Sequence, residues 1–286
     1  TGGTGSRNNS VAIGYQAWGN GGSANNIGGA ENVFLGSLSG NGTWATGASD
    51  SNTAVGYSTM AGAMNGAANN TAVGRSAMAT IITGDGNVAI GGYSMDDTDA
   101  HANTGASENN VFVGFHSGGG TWAATQTDNA IGIGAYALYG ALDNVDGTVA
   151  IGGNALQQLT SGGYNTAVGY SALSGVTTGA GNVAMGYGAA DAFGLGEELN
   201  VAIGYNAMGA VDEGDNTQTA DSNVAIGYNA LFGGILANTK DLVGNVAIGS
   251  GAMDSTGTNA QTGTIAIGHE ALTSCTSGTR NTAVGY

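Results

Sequence analysis

A single short phrase returns fifteen times along this chain, and that repetition is the strongest constraint on its fold. One copy reads Asn200-Val201-Ala202-Ile203-Gly204-Tyr205-Asn206-Ala207-Met208, and the next reads Asn223-Val224-Ala225-Ile226-Gly227-Tyr228-Asn229-Ala230-Leu231. Its glycine marks every copy: Gly14, Gly36, Gly56, Gly74, Gly91, Gly114, Gly134, Gly152, Gly169, Gly186, Gly204, Gly227, Gly249, Gly268 and Gly285. Successive markers lie 17 to 23 residues apart, so the phrase is fixed and only the connection changes length. Such a pattern belongs to a solenoid, in which no turn can bury its apolar side alone and stacked neighbours bury it together.

Within the phrase the period is two. Val201, Ile203 and Tyr205 fall on one side of an extended strand, and Ala202 and Gly204 on the other. Helix is disfavoured by the β-branched residues, glycines and asparagines. Each turn is therefore expected to run as a strand, a bend at the marker glycine, a second short strand around Ala207-Met208, and a polar return. The expected architecture is all-β, a parallel β-roll or β-solenoid of about fifteen turns, continuous over residues 1–286 as one domain. Turns stacked ~4.8 Å apart would make a rod of roughly 70 Å.

Composition agrees with this only through the repeat. Val, Ile, Leu and Phe make up 50 of 286 residues, with a net charge of -16, a balance that usually marks disorder. The 56 glycines and the absence of proline take their meaning from the turns, because glycine relaxes bends and stacked strands need every backbone donor. Twenty acidic residues against four basic ones argue against binding nucleic acid or anionic lipid. One cysteine, Cys275, leaves no internal disulfide, and no apolar run is long enough to insert in a membrane as a helix.

The asparagine opening most phrases, as at Asn52, Asn165, Asn182, Asn200, Asn223 and Asn245, has two structural readings: a hydrogen-bonded amide ladder at one corner, or a turn former. The marker glycines, among them Gly56, Gly169, Gly186, Gly204, Gly227 and Gly249, are scaffold in the same sense. Both sides of the strand are apolar, one large and one small, so each is expected to meet protein. One would line the roll and the other would meet a second chain, which points to a homo-oligomer. A four-turn block also recurs: Val33-Phe34-Leu35-Gly36 leads to Thr43-Trp44 as Val111-Phe112-Val113-Gly114 leads to Thr121-Trp122. The echo between Thr4-Gly5-Ser6-Arg7-Asn8 and Ser277-Gly278-Thr279-Arg280-Asn281 suggests an excerpt of a longer fibre.

The phrase Asn-Thr/Val-Ala-Val/Ile-Gly-Tyr-x-Ala-Leu/Met resembles the YadA-like head repeats of trimeric autotransporter adhesins and related repeats of bacteriophage tail fibres, over Ser10 to Tyr286. That resemblance implies a side-by-side homotrimer at a cell surface or on a virion, in a role of adhesion to host glycans or proteins. The turns here exceed the roughly fourteen residues typical of those adhesin heads, and coiled-coil heptads and a membrane anchor are missing from this segment.

Few residues invite chemistry. Asp96, Asp97 and Asp99 sit in one 23-residue turn and Asp212, Glu213 and Asp215 in another, oxygen-rich loops that could hold Ca²⁺ but lack the EF-hand spacing; otherwise no cofactor is implied, and solvated loops are the alternative reading. Trp18, Trp44 and Trp122 follow the strand phrase, where exposed indoles would give platforms for sugars or protein and buried ones would pack a corner. His101, His116 and His269 lie in separate turns without a partnered nucleophile, so catalysis is not expected. The sequence thus points to a non-enzymatic extracellular fibre segment, a stiff spacer and multivalent surface-binding head. The rival is a filament or sheath protein that stacks end to end and needs no receptor.

Overall fold

A computed structural model describes residues 9–19, 29–42, 47–97, 106–122, 125–211, 220–233, 241–255, 260–275 and 278–286. The repeat runs through both of the compact units into which the chain divides, Thr1–Asp146 and Gly147–Tyr286. Every regular element among the described residues is a strand. The first unit carries β1 (Val11–Ile13), β2 (Val33–Leu35), β3 (Thr53–Val55), β4 (Thr71–Val73), β5 (Val88–Ile90), β6 (Val111–Val113) and β7 (Ile131–Ile133). They form one parallel sheet in chain order and in exact phrase register, Ala54 opposite Ala72 and Ala72 opposite Ala89.

The second unit repeats the arrangement with β8 (Val149–Ile151), β9 (Thr166–Val168), β10 (Val183–Met185), β11 (Val201–Ile203), β12 (Val224–Ile226), β14 (Val246–Ile248), β16 (Ile265–Ile267) and β18 (Thr282–Val284). Three further short strands, β13 (Leu242–Val243), β15 (Gln261–Thr262) and β17 (Gly278–Thr279), form a second parallel sheet just before the phrase. The chain is a β-solenoid, as the repeat predicts.

The period-two pattern sorts the faces. The middle residue of the strand points inward: Ala54, Ala72, Ala167, Ala225 and Ala247 are fully buried, while the flanking Val, Thr and Ile residues face outward. The Ala-Leu or Ala-Met pair of the arch, such as Ala207-Met208 and Ala230-Leu231, is buried as well. Where a coil has phenylalanine in the strand instead, the arch compensates. Phe34 and Phe112 occupy the space that a side chain at Gly40 or Gly118 would need, for a Cβ there would lie 2.6 and 2.7 Å from the rings. Interior volume is thereby kept nearly constant.

The expected second strand around Ala207-Met208 is absent, and a turn stands there. Asn206 and Met208 are left-handed, at φ 51° and 55°, and the Ala207 N–H donates to Gly204 O at 3.4 Å. Alternating handedness cannot make an extended strand, yet it still links coils. The Asn206 N–H donates to Tyr187 O of one neighbour (2.9 Å) and the Met208 N–H to Ala230 O of the other (3.0 Å). A further left-handed residue precedes every described phrase, filled by Ser51, Asn129, Leu199, Ser222 or Gly244 among others.

The asparagines form the amide ladder. Asn200 Oδ1 accepts from the backbone N–H (3.0 Å) and Nδ2 (3.1 Å) of Asn223, while Asn200 Nδ2 donates to Asn182 Oδ1 (3.2 Å) and across the coil to Ala220 O (2.7 Å). The same bonds join Asn32 to Asn52, Asn52 to Asn70, Asn165 to Asn182 and Asn223 to Asn245. All of these side chains are buried, so the ladder supplies partners that water cannot. Ala130 and Thr264 each end a run of amides, their N–H groups donating to Asn110 and Asn245 Oδ1.

Candidate functional site

Trp18 and Trp122 lie in the interior rather than on a surface. Trp122 is 1% exposed, its ring packs edge-on against Phe112, and its Nε1 donates to Gly118 O at 2.9 Å. Trp18 packs against Phe34 with ring centroids 5.5 Å apart. Neither indole presents a face to a sugar: Trp122 packs within a phenylalanine coil of the four-turn echo, and Trp18, one coil before Phe34, packs on that ring. Trp44 falls outside the described residues.

The acidic residues divide into two kinds. Asp97 Oδ2 accepts from the Thr121 hydroxyl at 2.7 Å, whereas Asp96 Oδ1 is buried without a hydrogen-bond partner. Burial pushes the Asp96 carboxyl above the usual carboxylate range against the opposing pull of His116. Among the described residues no group of three or more His, Cys, Asp or Glu side chains is placed to hold a metal. Asp99, Asp212, Glu213 and Asp215 lie outside the described residues.

A second kind of aspartate is structural, and sequence reasoning missed it. Asp50, Asp85, Asp128, Asp146 and Asp221 stand six residues before a marker glycine, and each accepts a backbone N–H from the preceding coil at 2.6 to 2.8 Å. The signal was available as Asp-x-Asn in Asp50-Ser51-Asn52, Asp85-Gly86-Asn87 and Asp221-Ser222-Asn223. A carboxylate bonded to an amide gains strength from its charge, which makes Asp the fitting residue there.

Asp191 is a different case. Burial raises its carboxyl above the usual range, partly offset by its own backbone. A raised folded-state pKa means that the folded chain holds the proton more tightly than the unfolded one. The contribution is therefore favourable in acid and is lost as pH rises through the folded value. Asp191→Asn is expected to raise the thermal midpoint at pH 7 and to leave it unchanged well below the carboxylate range; an equal shift at both pH values would contradict this cause.

Outside the roll, two features run from coil to coil. The outward strand residues make paired aliphatic columns, and Ile151, Met185 and Ile226 stay 36 to 46% exposed. Beside them, Tyr170, Tyr187, Tyr205 and Tyr228 stack with centroids 5.5, 5.1 and 5.6 Å apart and planes within 19°. Each tyrosine is about half exposed, with its face covered by the next ring and its edge in solvent. In the first unit a mixed run joins Tyr57 and Arg75, one residue after their marker glycines, to Tyr93, His116 and Tyr136, two residues after theirs.

No family model, curated protein or solved structure matches the chain. The reading of function therefore rests on these surfaces. The outward aliphatic residues lie side by side from coil to coil rather than scattered, broken in one column by Thr53, Thr71 and Thr166.

Proposed function

We propose that the chain is a non-catalytic extracellular fibre segment, of a phage tail fibre or a cell-surface adhesin, which assembles as a side-by-side homotrimer and presents its variable connections for multivalent binding to host glycan or protein. The observation that carries this reading is the outward aliphatic ridge. A small-residue face fills each coil, and the large-residue face, Val201 and Ile203 in one coil and Val224 and Ile226 in the next, is left for neighbours. Alanine lies inside, so the chains would meet through the β-branched side chains. Copies related by a three-fold axis meet through heterologous contacts that close into a ring.

The connections, not the strands, vary in length, and loops on a rigid scaffold are where binding residues concentrate. Three copies of a weak loop site gain avidity through effective concentration, by about 10²-fold or more. Ile203→Asp with Ile226→Asp places two charges on the ridge and leaves the interior untouched. The double variant is expected to keep its β circular dichroism, run as a single chain and lose avidity for host-cell surfaces or arrayed glycans by that factor. Absence of surface binding by the wild type would reject the adhesive role, and an unchanged mass would reject the ridge as the interface.

A further inference from the structure

The second unit's ring column has an open rung. Parallel register places Ala225 opposite Ala247 and Ala247 opposite Ala266, so the residues three positions on, Tyr228, Ser250 and His269, occupy one column on consecutive coils. Tyr228 closes the tyrosine stack from one side, and His269 begins a second stack with Tyr286, centroids 5.4 Å apart and planes within 5°. Between them stands only the short side chain of Ser250, followed by Gly251. Two coil spacings separate the flanking rings by about 10 Å, room for one flat group about 5 Å from each.

The first unit shows what such a rung accepts. Tyr57 and Tyr93 stand on coils two apart, one and two residues after their marker glycines, and Arg75 from the coil between them lays its guanidinium 5.9 Å from one ring centroid and 5.3 Å from the other. Ser250 stands where Arg75 stands, one residue after the marker glycine. The open rung is also acidic. A side chain at Gly251 would meet Glu270 Cγ at 3.4 Å and Asp254 Oδ2 at 3.9 Å. Residues 147–286 carry ten acidic residues against two basic ones, so a cation is drawn to the slot.

We propose that the rung between Tyr228 and His269 is a docking slot for a guanidinium group, the arginine side chain of a partner chain, held between the two rings with Asp254 and Glu270 as its counter-charges. A planar, weakly hydrated guanidinium fits between rings better than an ammonium does, so the slot discriminates arginine from lysine.

The test titrates the full chain with a short peptide of alternating glycine and arginine and with its lysine counterpart, by calorimetry. The arginine peptide is expected to bind more tightly than the lysine peptide. Ser250→Arg fills the rung from within, as Arg75 does, and should weaken arginine-peptide binding roughly five- to thirtyfold while raising the thermal midpoint. Because that variant adds a contact, it separates loss of the slot from loss of the fold. No binding, equal affinity for the two peptides, or equal affinity for wild type and Ser250→Arg would each overturn the proposal.

Discussion

Gly204→Ala is expected to cost about 3–5 kcal/mol. Two causes add. Gly204 sits at φ 139°, a region that alanine enters only at a cost of order 1–3 kcal/mol. Its new Cβ would also lie 2.3 Å from Gly227 O and 2.7 Å from Gly227 C. Those atoms are backbone within the coil ladder, where Gly227 donates to Ile203 O at 2.8 Å, so they cannot step aside without breaking neighbouring bonds. Gly244→Asn is the matched control. That glycine is also left-handed, at φ 67°, but open space surrounds its Cβ position and serine or asparagine fills the equivalent place in other coils. Its cost should stay near or below about 1 kcal/mol. Because repeat arrays open locally, amide exchange on the flanking coils is the better readout, with protection lost from β10 to β12 in Gly204→Ala and kept in the control.

Asn200→Leu is expected to cost about 3–4 kcal/mol although it enlarges the apolar interior. Leucine removes one acceptor and two donors from the ladder. It leaves the Asn223 N–H without its acceptor, and it deprives Asn182 Oδ1 and Ala220 O of the Nδ2 donor they receive now. Each loss in a buried site costs about 1–3 kcal/mol, partly returned by the added apolar burial. Asn200→Thr should lose less than half as much, because Thr148 Oγ1 already serves Asn165 N in the same position, at 3.4 Å. Chemical denaturation of the three proteins checks the order. Leucine at or above wild-type stability would show that packing, not the amide ladder, holds this corner.

The phrase Asn-Val-Ala-Ile-Gly carried nearly all of the fold because its period and its copy number act together: period two selects strand, and repetition selects stacking. It could not disclose that the segment after the glycine is a turn. Asn206, Ala207 and Met208 have no sequence property that separates a short strand from alternating left- and right-handed residues, and the choice is made by hydrogen bonds to coils on both sides. Which face turns inward was equally hidden, since alanine and isoleucine both tolerate burial; the structure buries Ala202 and Ala225 together with Met208 and Leu231 of the arch. Trp18 and Trp122 are buried, as the corner-packing alternative had it, and the Phe–Gly exchange at Phe34 and Gly40 is the signal that explains the room they fill. The open rung at Ser250 required the register, because 22 and 19 residues separate its marker glycine from the two beside it.

In the proposed assembly the outward aliphatic ridge is covered by copies of the same chain. Mass in solution, by light scattering coupled to size exclusion at micromolar concentration, tests it most directly. The ridge predicts a discrete particle of three chains that falls to one in Ile203→Asp/Ile226→Asp. A monodisperse single chain for the wild type, with Ile151, Met185 and Ile226 left in water, would contradict it.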